Sequence, residues 1–314
     1  MRLKRKLGLL KLLVLAACAI LSPERGWSLE RIRIGLSVKS VVFLPFYYAK
    51  DKKIFKKHGL DVEIIQIRSD LQMVGLVSGE IDFTPALGPA ILAIQNGMPI
   101  KAVAVFYRAP LLSLVAHRQL THPRGLEGGK VGVSRLGSES HRYGVLMLER
   151  SGVDPKKVTF IQTGSTTVSL AALEQGSVQA AVLSPPFTGA MAQKGFKILM
   201  KSRELVEAPW LGLVTSRDKI QKRPEQVRTM LVAMREVLRV IRQDRPAVVA
   251  YIRENFKVSQ GVDEEAYEDI NGVLIEGMRM EENQIRNYLE GAYKRGELNK
   301  PLTVSEVIDY SLLR

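Results

Sequence analysis

The sequence predicts an α/β fold of two similar lobes followed by a helical C-terminal region, on three observations. Short apolar strands alternate with helices over residues 33–117, a pattern that implies largely parallel sheets. The alternation restarts at Lys130, and two helix-to-strand steps recur in the same order. Leu76-Val77-Ser78-Gly79-Glu80-Ile81-Asp82-Phe83 lines up with Leu173-Glu174-Gln175-Gly176-Ser177-Val178-Gln179-Ala180, and His58-Gly59-Leu60-Asp61 with Ser151-Gly152-Val153-Asp154. After residue 213 the apolar spacing becomes helical.

In the first half, strands are expected at Arg33–Ser37, Val62–Ile67, Ile81–Thr84, Lys101–Tyr107 and Leu111–His117. Helices are expected at Pro45–Lys57, Leu71–Ser78 and Pro89–Asn96, with Gly59, Gly79 and Gly97 as their stops. In the second half, strands fall at Lys130–Ser134, Val158–Gln162 and Gln179–Leu183, and helices at Ser138–Ser151, Val168–Gln175 and Gly189–Lys194. Leu211–Thr215 is a returning strand. Pro224 opens an amphipathic helix in which Val227, Met230, Leu231, Met234, Val237, Leu238 and Ile241 recur at three- and four-residue spacing as far as Gln243. Helices at Ala247–Asn255, Asp263–Gly272 and Glu281–Arg295 complete a cap on the first lobe. The expected division is residues 29–117 plus 213–314 for the first lobe and 118–212 for the second, with crossovers near His117–Gln119 and Trp210–Leu213.

The N-terminus precedes this pattern. A basic segment from Arg2 to Lys6 leads into an apolar run, Leu7 to Leu21, too short for the roughly 20 residues of a membrane span. Small residues follow at Gly26 and Ser28. This order predicts that residues 1–28 are a signal peptide cut after Ser28 and that the mature chain is exported to the periplasm. Leu15-Ala16-Ala17-Cys18 also resembles a lipobox, so lipidation of Cys18 and a membrane-anchored lipoprotein stay open. Cys18 is the sole cysteine, which excludes an intrachain disulfide framework and any multi-cysteine metal site.

The formal charge of +14 suggests nucleic acid or an acidic surface when taken alone. Five of those charges lie in residues 1–28; residues 29–117 carry +4, residues 118–212 carry +5 and residues 213–314 carry none. The excess thus sits on the two proposed lobes, and no basic-aromatic nucleic-acid motif accompanies it.

Catalytic motifs do not stand out. The four histidines form no spaced metal cluster, Gly132 to Gly137 is one residue too long for G-x-S-x-G, and Gly125 to Val131 lacks the Ser or Thr of a P-loop. No metal, no cofactor and no catalytic residue is expected. What recurs is a strand, a loop of small polar residues and a helix. In open α/β sheets ligands sit beyond the carboxyl ends of strands, where helix N-termini offer free N–H donors. The candidate ligand-binding residues are therefore Ser37, Ser40, Phe43, Thr84, Ala86, Leu87, Arg135, Gly137, Ser138, Glu139, Thr163, Gly164, Ser184 and Pro185. Arg108, at a strand end, is added as an anion partner, with an exposed crossover position as its alternative. Glu139 either complements the dipole of its own helix or meets a ligand amine or hydroxyl. Trp210 is placed in the hinge or core.

These residues carry a resemblance. Arg33-Ile34-Gly35, Phe43-Leu44-Pro45-Phe46-Tyr47-Tyr48-Ala49-Lys50, Lys57 to Val62, Leu76-x-x-Gly79-x-Ile81-Asp82, Gly128 to Val133 and Ala172 to Ala180 resemble the nitrate/sulfonate/taurine-type (SsuA-like) periplasmic substrate-binding proteins of ABC transporters. The resemblance implies a type II periplasmic-binding-protein fold, two α/β lobes joined by two crossovers and closing on a small molecule. It also implies an ABC permease and ATPase as partners, no nucleic acid, membrane contact only through the permease or a lipid on Cys18, and a monomer. Two departures, Gln179 in place of the usual Asp and the Leu136-Gly137-Ser138-Glu139-Ser140-His141 loop, weaken transfer of the sulfonate or nitrate ligand. The expected function is capture of a small anionic solute by hinge closure. The alternatives are a periplasmic sensor-type binding protein and a binder of a thiamine-pyrimidine precursor.

Overall fold

A computed structural model describes residues 29–313; residues 1–28, on which the expected signal peptide and Cys18 fall, lie outside the described residues. Strand β1 (Glu30–Leu36) pairs in parallel with β2 (Leu60–Gln66), from Glu30↔Leu60 to Leu36↔Gln66. Between them the expected single helix is two, α1 (Leu44–Asp51) and α2 (Ile54–Lys57), because Lys53 turns the backbone into the left-handed region at φ 59°. Helix α3 (Ser69–Ser78) stops at Gly79, whose φ of 76° suits a residue without Cβ. Strand β3 (Thr84–Ala86), helix α4 (Leu87–Gln95) and β4 (Ile100–Tyr107) follow. The returning strand β10 (Leu211–Ser216) lies antiparallel between β3 and β4.

The second half is a five-stranded sheet. It contains β5 (Ser113–Ala116), β6 (Lys130–Val133), β7 (Thr159–Gln162), β8 (Ala180–Leu183) and β9 (Lys197–Lys201) in the order β7-β6-β8-β5-β9. Helices α5 (Glu139–Arg150), α6 (Thr166–Glu174) and α7 (Phe187–Gln193) connect its strands. Strand β6 is parallel to β7 and β8, whereas β5 is antiparallel to β8 and β9. The sheets are thus mixed, not largely parallel, because β5 and β10 each enter a sheet as the chain crosses from the other half.

The strand expected to end the first lobe at His117 is β5 of the second sheet. The crossing segments accordingly lie between Tyr107 and Ser113 and between Lys201 and Leu211, displaced from His117–Gln119 and Trp210–Leu213. Strand β9 escaped the sequence reading because its five residues, flanked by lysines, show no longer alternation.

The C-terminal region comprises α8 (Arg217–Lys222), α9 (Pro224–Gln243), α10 (Arg245–Phe256), α11 (Val262–Val273), α12 (Glu282–Lys294) and α13 (Val304–Val307). The seven periodic residues of α9 are all buried in one core with Ile32, Phe46 and Phe106, which packs the cap on the first half. Burying each such side chain contributes about 1.5–3 kcal/mol. A second core joins α4 and β4 to α12 through Ile91, Ile100 and Ile285. The second sheet is covered on both faces, by Val131, Leu148 and Val182 on one and by Val115, Leu173 and Met191 on the other. The cap also reaches this half: Asp269 of α11 takes Lys201 at 3.1 Å and Arg203 at 3.0 Å.

Candidate functional site

The carboxyl ends of β1, β6, β7 and β8 open onto a cavity of about 680 Å³ between the two halves. Its walls differ. The first half supplies mainly apolar groups, among them Val38, Val42, Phe43, Met73, Leu92 and Met98. The second half supplies Ser134, Arg135, Ser138, Glu139, Ser140, Arg142 and Ser184.

Local hydrogen bonding sets the loops. Ser40 accepts from the Val42 N–H at 3.3 Å and turns the chain after β1. Beyond β6 three hydroxyls form a triangle, with Ser134 Oγ 2.9 Å from Ser140 Oγ and 3.2 Å from Ser138 Oγ, and Ser138 to Ser140 at 3.0 Å. The Ser134 N–H donates to Ser140 Oγ at 3.0 Å, which ties the end of β6 to the start of α5. His141 faces the same loop: the Gly137 N–H donates to its Nδ1 at 3.1 Å and its ring packs edge-on with Phe160, centroids 4.7 Å apart. Partial burial, then the nearby Arg142 cation, lowers its pKa.

Two of the charged groups reach across. Glu139 Oε2 accepts from Trp210 Nε1–H at 3.1 Å, and Trp210 stacks on Tyr107 with centroids 6.4 Å apart. Burial raises the Glu139 pKa; the Arg142 charge and the indole hydrogen bond offset part of that. Arg142 lies three residues on along α5, on the same helix face. Both side chains approach Gly88 in α4.

Of the residues singled out from sequence, Ser37, Ser40, Phe43, Arg135, Gly137, Ser138, Glu139, Gly164 and Ser184 line this cavity. Six do not. Thr84, Ala86 and Leu87 do not form a loop after a strand, because β3 begins at Thr84. The Thr84 hydroxyl donates to Gln72 at 2.6 Å, Ala86 pairs with Leu211 and Leu87 is buried in the core. Arg108 donates to the Gly272 carbonyl at 3.2 Å, the crossover alternative. Thr163 Oγ1 bonds Ser169 Oγ at 2.6 Å and the Val133 carbonyl at 3.0 Å, both within the scaffold. Pro185 is buried and does not line the cavity. Sequence reasoning missed Arg142, whose signal was its i+3 spacing from Glu139, and put Trp210 in the hinge or core, although it also walls the cavity.

Among the described residues no group of three or more His, Cys, Asp or Glu is placed to hold a metal, and no helix is long and apolar enough to cross a membrane.

No curated protein matches the sequence. Solved structures do. The alkanesulfonate-binding protein SsuA from Xanthomonas axonopodis pv. citri, bound to MOPS, is 16% identical with a TM-score of 0.74, over 88% of this chain and 97% of that one. The periplasmic aliphatic sulphonate-binding protein SsuA from Escherichia coli is 19% identical with a TM-score of 0.72, over 90% and 98%. DszB in complex with biphenyl-2-sulfinic acid is 12% identical with a TM-score of 0.70, over 91% and 98%. These likenesses establish the periplasmic-binding-protein fold, two α/β halves with a helical cap. The family model described as NMT1/THI5 like matches residues 40–244, from the first cavity loop through the end of α9. The chain belongs to the NMT1/THI5-like family.

Proposed function

We propose that the chain is an extracytoplasmic solute-binding protein of an ABC importer that captures a small anionic solute, of sulfonate, nitrate or carboxylate type, without turning it over. The observation that carries this reading is the asymmetric cavity, with an apolar wall on one side and Arg135, Arg142 and serine hydroxyls on the other. A guanidinium on a partly buried wall forms charge-assisted hydrogen bonds to an oxyanion, while the facing apolar wall accepts an organic body. The likeness to the sulfonate-binding SsuA proteins favours a sulfonate among the anions.

In this reading the first lobe holds β1–β4, β10 and the C-terminal helices, and the second holds β5–β9. The lobes close by hinge motion at the two crossing segments, and the closed form docks on the permease, whose ATPase drives release. Residues 1–28 direct export and are removed, or Cys18 anchors the chain to the membrane. The binder acts as a monomer.

Calorimetric titration of residues 29–314 with butane-1-sulfonate, nitrate and small carboxylates tests the reading. Saturable binding of one of them at micromolar or lower concentration, with the solute recovered unchanged, is the expected result. Absence of any anion binding, or consumption of the solute, overturns it.

A further inference from the structure

The Glu139 side chain leaves the second half of the molecule and settles against the first. Its Oε2 takes the Trp210 indole N–H at 3.1 Å. Its Oε1 lies so close over Gly88, in the first turn of α4, that a Cβ there would overlap it. The Arg142 guanidinium, by contrast, makes no hydrogen bond or ion pair among the described residues, although it shares a helix face with Glu139. The carboxylate therefore sits in the wall of the cavity with the indole N–H as its donor and the unpaired Arg142 guanidinium on the same helix face.

We propose that Glu139 is an internal anion of the cleft, holding the position at Trp210 and α4 that a ligand's anionic head enters, so that binding of an anionic ligand takes up one proton at Glu139. This rests on the anion-binding reading above. Two negative charges brought together in a partly buried space repel each other. Protonating the carboxyl removes the repulsion and leaves an O–H that can donate to the incoming anion. Burial already favours that proton, since it raises the Glu139 pKa. The charged and titratable groups around it are Arg142 and Tyr143 on α5, Tyr288 on α12, and Arg295 and Glu297 just beyond α12. Tyr143 and Tyr288 have pKa values raised by burial and stay neutral through the acid range, and Arg295 is ion-paired with Glu297 at 2.5 Å. His141, whose pKa partial burial and the Arg142 charge lower, is the other titratable side chain on this loop.

The test is titration of residues 29–314 with butane-1-sulfonate between pH 5 and 8, in sulfonate-free buffers of differing ionisation heat. A sulfonate stays ionised throughout, so any pH dependence belongs to the protein. Wild-type affinity is expected to fall as pH rises, by up to about tenfold per pH unit, with a matching proton uptake read from the buffer series. Glu139→Gln is expected to bind with a flat profile, and His141→Gln to keep the wild-type slope. A flat wild-type profile, or a slope that persists in Glu139→Gln, overturns the role of Glu139 while leaving anion binding intact. Failure of every anion to bind overturns both. The proton count on the wild-type chain decides the matter even if a variant does not fold.

Discussion

Gly88 and Glu139 are fitted to each other across the cleft: the missing side chain of Gly88 is the space that Glu139 Oε1 fills. Gly88 belongs to α4 of the first half and Glu139 to α5 of the second, so the pair ties two elements that no strand connects. Its backbone is not in the left-handed region, so the requirement for glycine here is steric.

Gly88→Ala tests the fit. In a helix, alanine is otherwise favoured over glycine by about 1 kcal/mol. Overlap with Glu139 reverses that preference, and the expected result is a loss of about 1–2 kcal/mol in chemical denaturation. In the Glu139→Ala background the same change is expected to be neutral or stabilising. Trp210 is the sole tryptophan of residues 29–314, so its emission reports whether Glu139 has left the indole. Unchanged emission and stability in Gly88→Ala would show that the carboxyl does not need the space.

The raised Glu139 pKa also makes a statement about stability. A carboxyl whose folded pKa lies above its unfolded value costs stability once pH exceeds the folded pKa, and the cost vanishes as pH falls below the unfolded value near 4.5. Glu139→Gln keeps an oxygen to accept from Trp210 Nε1–H and removes the charge. It is expected to be more stable than wild type at pH 7–8, with the two converging towards pH 4 in urea melts. A gap of constant size across that range would assign the difference to something other than Glu139 ionisation.

What the sequence made legible follows from the range of the interactions involved. Helix α9 was readable at both ends, because Pro224 marks its start and its apolar stripe meets one contiguous core. The β1 and β6 loops stood out because small polar residues follow a strand's carboxyl end there, although the same residue types also cap helices, as Ser40 does. Thr84 shows the limit: its hydroxyl is satisfied by Gln72, twelve residues earlier, and no local pattern announces that partner. Glu139 suited its own helix N-terminus perfectly well, so nothing local pointed to Trp210, 71 residues on. The strand β5 was found but given to the wrong half, since its partners β8 and β9 lie far along the chain.

The contact between α11 and the end of β9 is a second tie between the halves. Asp269 is nearly fully buried and meets both Lys201 and Arg203. Asp269→Ala leaves two partly buried cations short of a counter-ion and is expected to cost about 3 kcal/mol in denaturation. Glu265, 3.5 Å from Lys201, softens the loss. Asp269→Asn keeps the hydrogen-bond acceptor and is expected to lose less. If the alanine variant loses less than the asparagine variant, the pair contributes no net stability.

The two cavity arginines should differ in how they hold an anion. Arg142 is half-buried, whereas Arg135 is exposed on the loop after β6. A charge-assisted hydrogen bond contributes about 1.5–3 kcal/mol, so Arg142→Ala is expected to weaken butane-1-sulfonate binding by roughly ten- to a hundredfold. Exposed charges act through solvent and are screened beyond about 10 Å at 0.1 M salt. Arg135→Ala should therefore cost less, and its cost should shrink as salt is added, while that of Arg142→Ala persists. Arg108→Ala serves as the control, since its guanidinium is turned to the Gly272 carbonyl outside the cavity and its loss should leave affinity unchanged. Equal losses for Arg135 and Arg142 with equal salt dependence would mean that the cavity attracts anions only through its general positive field.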